Sequence, residues 1–289
     1  MASFVSTAVS FDRILVPSDL TDASELALEY AKRIAKSYKS QLVVAHVHHP
    51  VNPITPPEAE WFSHAKEGQV EERFEQLGEE LRSQGFDART VFLTGGVQEE
   101  ILSLAKRECA DLIVAGSHGV TGVERLLLGS DAESLSRKAM CPVLIVGPQV
   151  PKPKPIWSPK TIVCATDLDP ENAPTAAYGY RLARHHRAHF TLFHVEDPTM
   201  TVSAKRTWSR FKEALARELS DESGFGGSLW TQFSEASNGT SIVEFAREHE
   251  ADLIVLGARS APELTSRLAR GIGPQVFSEA PCPVMIFRS

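Results

Sequence analysis

The sequence has few cysteines, and their spacing does not suggest a metal site or a disulfide framework. Cysteine occurs at only four positions in 289 residues, and no two of them are spaced as CxxC. These positions are Cys109, Cys141, Cys164 and Cys282. Disulfide-rich secreted domains and cysteine-ligated zinc sites therefore do not fit. We expect a reducing, cytoplasmic setting.

Long apolar runs, a leader and a basic excess are missing as well. No apolar run approaches the ~20 residues that a membrane helix needs. No basic residue precedes Arg13, so the N-terminus is a poor signal peptide. The net charge of −7, from 37 acidic and 30 Lys or Arg side chains, gives no sign of binding to nucleic acid or to an anionic membrane. We therefore expect neither partner.

The chain contains the same unit twice. DRILVPSDL at 12–20 recurs as KTIVCATDL at 160–168, and LVVAHV at 42–47 recurs as FTLFHV at 190–195. Both pairs share an offset of 148 residues. ADLIVAG at 110–116 recurs as ADLIVLG and CPVLIV at 141–146 recurs as CPVMIF, both with an offset of 141 residues. Two constant offsets indicate a tandem repeat whose second copy has a shorter middle.

A proline-rich segment separates the two copies. PQVPKPKP occupies residues 148–155, and proline favours an extended, semi-rigid connector. We therefore predict one domain over residues 1–147, a linker over 148–155 and a second domain over 156–289.

Short apolar runs alternate with helical patterns inside each copy. RILVP, QLVVAHV, ARTVFL, DLIVAG and PVLIVG are typical of buried strands. Apolar side chains recur at helical spacing in three segments. They are Ala27, Tyr30, Ala31, Ile34 and Tyr38, then Val70, Phe74, Leu77 and Leu81, and in the second copy Trp208, Phe211, Leu215 and Leu219. The alternation predicts an α/β fold in which each half has a five-stranded parallel sheet covered on both faces.

A glycine-rich loop follows the fourth predicted strand of the first copy. AGSHGVTGVERLLLGS has the spacing G-x2-G-x9-G-S, with Gly116, Gly119, Gly129 and Ser130 at the defining positions. Glycine lets the main chain approach a ligand closely. Gly129 and Ser130 fall where a helix is predicted to begin, and a helix start offers unpaired N–H groups to an anion. The loop is neither a Walker loop nor a GxGxxG fingerprint.

The duplicated unit, the VPSD turn, the AHV strand end and the GSHG…GS loop together resemble the universal stress protein family in its tandem form. The resemblance covers nearly the whole chain. It implies the adenine nucleotide alpha hydrolase-like fold with strand order 3-2-1-4-5. It also implies that the loop holds the phosphates and ribose of ATP, and that an aspartate after the first strand lies close to the nucleoside.

The resemblance implies a set of binding residues at the matching positions. The adenine and ribose pocket would be lined by Pro17, Ser18, Asp19, Val47, Ala115, Gly116, His118 and Gly119. The phosphates would be held by Gly129, Ser130, and the main chain at Asp131 and Ala132. No catalytic residues and no metal ligands of the protein are predicted.

One position departs from the family pattern. An apolar residue commonly follows the Gly-Ser pair, whereas this chain has Asp131 and then Glu133. These carboxylates suit the positive end of a helix but compete with a bound phosphate. Two alternatives stay open: a divalent cation such as Mg²⁺ bridges them to ATP, or the affinity for ATP is reduced.

The second copy has lost part of the loop. At the matching positions, Ser260, Arg270 and Gly271 replace Gly119, Gly129 and Ser130. A Cβ then stands where close approach is needed, although Asp167 and Gly257 remain. We expect the second site to be empty or altered.

Simpler roles compete with binding at several positions. Asp19 is also a candidate cap for a helix beginning near Asp22. The histidines near 46–49 and 185–189 lack a carboxylate or cysteine at metal-ligand spacing, and Cys141 and Cys282 suit apolar packing.

Together with the sequence, the resemblance implies a cytoplasmic protein that binds ATP and acts as a nucleotide-dependent sensor or regulator in a stress response. The alternatives are a nucleotide-free interaction protein and an adenylating or ATP-hydrolysing enzyme; in the family, slow hydrolysis at most is implied. We expect the two domains to pair within the chain through the edges of their last strands. A homodimer and an unidentified protein partner are further candidates.

Overall fold

The fold is described from a computed structural model that covers residues 9–48, 57–117, 135–196, 204–219, 226–233, 238–258 and 272–288. In this part of the chain, the N-terminal half contains five strands, three longer helices and a short helical segment at residues 135–138. The strands and longer helices are β1 (Arg13–Pro17), α1 (Asp22–Tyr38), β2 (Gln41–His48), α2 (Pro57–Ser83), β3 (Ala88–Thr94), α3 (Val97–Arg107), β4 (Leu112–Gly116) and β5 (Val143–Val146).

The C-terminal half repeats this order of elements. Its elements are β6 (Thr161–Ala165), a 3-10 turn (Pro170–Asn172), α4 (Ala173–His186), β7 (His189–Glu196), α5 (Ala204–Glu218), β8 (Ser228–Phe233), α6 (Asn238–Glu248), β9 (Leu253–Ala258), α7 (Ile272–Glu279) and β10 (Val284–Arg288). All five strands predicted for the first copy are present, with ends within one residue of the prediction.

Helix α1 shows why the sequence folds this way locally. Thr21 caps its N-terminus by accepting a hydrogen bond from the Ser24 N–H, and the first turn carries Asp22 and Glu25. Lys39 ends the helix in the left-handed conformation. The predicted apolar stripe lies inward, and its members Ala27, Tyr30, Ala31 and Ile34 are buried.

The strands of both halves form one ten-stranded sheet. Its order is β3-β2-β1-β4-β5-β10-β9-β6-β7-β8, so each half has the expected order 3-2-1-4-5. Neighbouring strands within a half run parallel, as in the register that pairs Ile14 with both Leu42 and Leu112. The fold class and the strand order are confirmed.

The two halves meet through their last strands. β5 and β10 pair antiparallel, with Leu144 opposite Met285, so each half covers the sheet edge that the other would expose. This is the pairing that the sequence analysis expected. The linker adds a second connection, since the Tyr30 hydroxyl donates to the Pro151 carbonyl at 3.0 Å and Trp157 meets the Tyr30 ring edge-on.

Apolar side chains cover the sheet on both faces. One core cluster contains Val16, Ile34 and Val114 and continues into the second half through Ile162 and Leu182. A second cluster on the other face contains Leu15 and Ile113 together with residues of both halves. Burial on both faces explains why the strands are almost continuously apolar.

Candidate functional site

The candidate site lies where β1 and β4 end side by side. β1 is paired with β2 on one side and with β4 on the other, so strand order reverses at β1. In open parallel sheets, ligands bind beyond the carboxyl ends of the strands at this switch point, and we call this position in each half the crevice. Pro17 is the last residue of β1 and Gly116 the last of β4, and both belong to the predicted pocket.

The turn after β1 is tied to the end of β2. The Ser18 N–H donates to the Ala45 carbonyl at 2.8 Å, and Nδ1 of His46 lies 2.8 Å from the Ser18 carbonyl oxygen. Leu20 then adopts φ of +61°, which turns the chain toward α1. Ser18 is 7% exposed, and its buried hydroxyl lies 3.3 Å from that of Ser24. The position of Asp19 is therefore fixed from both sides.

One carboxylate oxygen of Asp19 builds the turn. Oδ1 accepts hydrogen bonds from the Thr21 N–H at 3.1 Å and from the Thr21 hydroxyl at 2.5 Å. Thr21, and not Asp19, is the residue that caps α1, so the capping alternative for Asp19 is wrong. Within the described residues no hydrogen bond reaches Oδ2 of Asp19. This oxygen is the unused acceptor at the switch point.

The main-chain N–H and carbonyl of Val47 point from β2 toward the side where β1 lies. Along β2, the N–H of Gln41 donates to Asp12 of the segment leading into β1, and the carbonyl of Ala45 accepts from Ser18. Alternation along the strand therefore places the N–H and the carbonyl of Val47 on the same side. The register of β1 with β2 ends at Pro17 opposite Ala45, before the ladder would reach Val47. The main chain of Val47 therefore has no partner in β1. Beyond the end of β1, this main-chain edge faces the crevice.

Gly116 has a packing constraint that the sequence analysis did not find. A Cβ at this position would lie 2.7 Å from the carbonyl oxygen of Ala23 in the first turn of α1. Glycine is needed here because the end of β4 and the start of α1 are in close contact. The neighbouring Ala115 is 4% exposed and belongs to the core. Asp19 precedes the start of α1 and Gly116 packs against it, so both residues lie at the same end of this helix.

Six of the predicted binding residues lie outside the described residues. They are His118, Gly119, Gly129, Ser130, Asp131 and Ala132. The described chain resumes at Leu135, residues 135–138 are helical, and Leu135 and Ala139 are buried. The part of the predicted helix that carries Leu135 is therefore present.

The second half repeats the turn with different polar partners. The Thr166 N–H donates to the Phe193 carbonyl at 2.9 Å, and Nδ1 of His194 lies 2.8 Å from the Thr166 carbonyl oxygen. Leu168 has φ of +60°, matching Leu20. Oδ1 of Asp167 accepts from the Asp169 N–H and, at 2.7 Å, from the Asn172 side-chain amide.

The asparagine makes the second crevice different from the first. Asn172 stands where the first half has Ser24, and its amide binds the carboxylate that corresponds to Asp19. A Cβ at Gly257 would lie 2.9 Å from Oδ1 of Asn172 and 3.0 Å from the Thr175 hydroxyl. The start of α4 thus packs against the end of β9 through side chains. Ser260, Arg270 and Gly271 lie outside the described residues.

His46 and His194 are site residues that were not predicted from the sequence. From its spacing, His46 was weighed only as a metal ligand and did not fit that role, yet its ring makes a hydrogen bond to the turn that carries Asp19. The signal was the recurrence of histidine at the same place in both copies. Among the described residues, no three His, Cys, Asp or Glu side chains are grouped so that they could hold a metal ion.

The matching cysteines lie in the packed region between the halves. Burial raises the pKa of the Cys141 thiol to about 12, and the nearby Asp111 acts in the same direction. The pKa of the Cys282 thiol is raised even more strongly by burial. Both thiols are therefore protonated at neutral pH, which fits a packing role.

The fold and the turns define a tandem α/β protein with a crevice at the switch point of each half. The sequence model of the universal stress protein family matches residues 10–147 and 159–288. The chain therefore belongs to the universal stress protein family.

Similar proteins agree with this assignment. Universal stress protein MJ0531 of Methanocaldococcus jannaschii is 34% identical over 140 residues, which is 47% of this chain and 82% of that protein. Universal stress protein YxiE of Bacillus subtilis is 32% identical over 146 residues, covering 47% of this chain and 99% of the relative. Each relative thus matches about half of the chain.

A solved structure matches both halves together. A universal stress protein from Archaeoglobus fulgidus aligns over 98% of this chain and 98% of its own, with a TM-score of 0.71 and 18% identity, and so shares the tandem fold.

Within the described residues, no helix is long and apolar enough to cross a membrane.

Proposed function

We propose that the protein binds ATP in the crevice of its N-terminal half and acts in the cytoplasm as a nucleotide-dependent sensor or regulator of a stress response. The observation that carries the proposal is the unused Oδ2 of Asp19 at the switch point. Its partner oxygen is already engaged by Thr21, so the carboxylate is held in one orientation. A rigid carboxylate oxygen is a strong acceptor for a ribose hydroxyl.

The main chain of Val47 supports binding of the purine. An N–H and a carbonyl that point the same way offer one donor and one acceptor to the edge of a base. Both face the crevice because the ladder between β1 and β2 stops at Pro17. Such a main-chain edge selects adenine by its pattern of donors and acceptors.

The phosphates would be held by Gly129, Ser130 and the main chain at Asp131 and Ala132. The buried Leu135 and Ala139 fix the helix that follows this segment, and a helix start attracts phosphate through its N–H groups. Asp131 and Glu133 carry negative charge at the same place. We propose that Mg²⁺ offsets this charge, so that ATP binds more tightly with Mg²⁺ than without it.

The C-terminal half differs in the side chain that contacts the carboxylate after its first strand. The Asn172 amide donates to Asp167 at 2.7 Å, whereas Ser24 at the matching position makes no hydrogen bond to Asp19. The loop of the second half also lacks two of the three glycines of the first. We therefore propose that one ATP binds per chain. We assign no catalytic residues, and any hydrolysis of ATP is slow.

Isothermal titration with ATP tests the proposal. Asp19→Asn keeps one oxygen for the Thr21 hydrogen bonds but removes the charge and the second acceptor. We expect it to weaken ATP binding at least ~10-fold, because a hydrogen bond to a charged group contributes ~1.5–3 kcal/mol. Asp167→Asn is the matched control in the second half and leaves the affinity unchanged.

Three results would contradict the proposal. They are no binding by the wild type, equal binding by the Asp19→Asn variant, and a loss caused by Asp167→Asn alone. The first would favour a nucleotide-free interaction protein. Release of pyrophosphate or AMP during incubation with ATP would instead favour an adenylating enzyme. Light scattering with and without ATP shows whether the nucleotide changes the assembly of the protein, either as a homodimer or with a partner protein.

A further inference from the structure

In each half of the protein, a histidine ring makes a hydrogen bond to a main-chain carbonyl just after the central strand. Nδ1 of His46 lies 2.8 Å from the Ser18 carbonyl oxygen, and Nδ1 of His194 lies 2.8 Å from the Thr166 carbonyl oxygen. A carbonyl only accepts hydrogen bonds, so Nδ1 carries a proton in both rings. The same contact has been built twice, 148 residues apart.

The imidazole takes the place of a main-chain donor. In a parallel ladder, the N–H of a residue donates to one residue of the neighbouring strand. Its carbonyl accepts from the residue two positions further along that strand. The Ser18 N–H contacts Ala45, so the next donor to the Ser18 carbonyl would be the N–H of Val47. The register instead ends at Pro17 opposite Ala45, and the His46 ring supplies the hydrogen bond.

Aromatic packing holds the ring in this position. The His46 ring centroid lies 5.1 Å from that of Phe92 on β3 and 5.7 Å from that of Phe74 on α2. Because the ring is braced by two elements, it reaches the Ser18 carbonyl without the help of a ligand. The turn that carries Asp19 is therefore held in place before any ligand arrives.

We infer that His46 is a positioning residue of the crevice: by satisfying the Ser18 carbonyl it leaves the N–H of Val47 for a ligand and fixes Asp19 beside it. The inference rests on the proposed function for the identity of the ligand, ATP. Its structural part concerns the N–H of Val47 and does not depend on ATP. His46 contacts the turn, Phe74 and Phe92, and we assign it no contact with the ligand.

Three variants separate the hydrogen bond from the packing. His46→Phe keeps an aromatic ring against Phe74 and Phe92 but removes the donor. His46→Asn removes the ring but places an amide nitrogen on Cγ, where His has Nδ1, so it can donate to the same carbonyl. His194→Phe removes the matching hydrogen bond in the second half and controls for a general loss of stability.

Three quantities are measured on each variant: the affinity for ATP, the exchange rate of the Val47 amide and the melting temperature. Titration with ATP should show at least ~10-fold weaker binding for His46→Phe, equivalent to ~1.4 kcal/mol, and values close to the wild type for His46→Asn and His194→Phe. Amide exchange followed by NMR should show slower exchange of the Val47 N–H in His46→Phe, because the Ser18 carbonyl becomes its acceptor.

The outcomes distinguish the two proposals. If the wild type does not bind ATP, the proposed function fails, and the exchange of the Val47 amide alone decides the inference. If Val47 exchanges in His46→Phe as it does in the wild type, the inference is wrong. It is also wrong if His46→Phe and His194→Phe lower the melting temperature equally and neither changes the affinity for ATP, since His46 would then have only a structural role.

Discussion

The hydroxyl of Tyr38 lies 2.8 Å from Nε2 of His186, and the two residues occupy the same position in the two halves. The ring of His185 also stacks on Tyr38, with centroids 5.2 Å apart. Two matching positions can meet only where the approximate two-fold axis relating the halves passes. The ends of α1 and α4 therefore form a further contact between the halves, in addition to the pairing of β5 with β10 and the contacts of Tyr30.

This contact makes stability depend on pH. Burial lowers the pKa of His186 from 6.5 to about 4, and the charges of His185 and Lys160 act in the same direction. Between these two values the unfolded chain binds a proton that the folded protein excludes. His186 therefore contributes its full stabilisation above pH 6.5, and this is lost as the pH falls toward 4.

Urea unfolding at several pH values between 7 and 4 measures the effect. We expect the free energy of unfolding of the wild type to fall with pH, by less than the ~1.4 kcal/mol per pH unit that one proton contributes, since solvent screening reduces it. His186→Gln removes this proton and should make the dependence shallower. Equal slopes for the two proteins would contradict the assignment.

Tyr30 and Tyr178 occupy matching positions, but we expect removal of their hydroxyls to change the free energy of unfolding in opposite directions. The Tyr30 hydroxyl donates to the Pro151 carbonyl of the linker, whereas the buried Tyr178 hydroxyl has no hydrogen-bond partner among the described residues. We expect Tyr30→Phe to cost ~1 kcal/mol of unfolding free energy, because it removes a hydrogen bond. Tyr178→Phe should be neutral or stabilising by up to ~1 kcal/mol, because it removes an unsatisfied polar group.

Each tyrosine variant is the control for the other, since both delete one buried hydroxyl at equivalent positions. Denaturant unfolding of the two variants beside the wild type provides the comparison. A loss of the same size in both variants would show that the hydrogen bond from Tyr30 to Pro151 contributes no stability of its own.

The strands could be predicted from the sequence because burial on both faces makes them almost continuously apolar. The stripe of α1 was equally clear, since Ala27, Ala31 and Ile34 recur at helical spacing. Helix α3 was not named, although Ile101, Leu104 and Ala105 form its buried face. The strand order came from the family resemblance, because local patterns do not say which strands are neighbours.

The turn that carries Asp19 was harder to predict for physical reasons. Asp19, Thr21 and Asp22 all have side chains that cap helices, so composition alone did not identify Thr21 as the cap. Leucine has no preference for the left-handed conformation that Leu20 adopts. The contact of His46 with Ser18 joins a side chain to the main chain 28 residues away, which spacing cannot reveal.

Gly116 connects the packing of the fold to the geometry of the crevice. In Gly116→Ala, the new Cβ would lie 2.7 Å from the Ala23 carbonyl oxygen, a main-chain atom that moves only if α1 or β4 moves. We expect the variant to lose ~1–3 kcal/mol of unfolding free energy, as other overpacked sites do. The displaced start of α1 should also shift the turn at Asp19 and weaken ATP binding.

Gly68→Ala is the matched control, because a Cβ at Gly68 in α2 would have no other part of the described structure within 4 Å. It should stabilise the protein by ~0.5–1 kcal/mol, since alanine favours the helix over glycine, and leave the affinity for ATP unchanged. Thermal unfolding and ATP titration of both variants provide the test. A Gly116→Ala variant as stable as the wild type would show that the close packing of α1 on β4 does not require glycine.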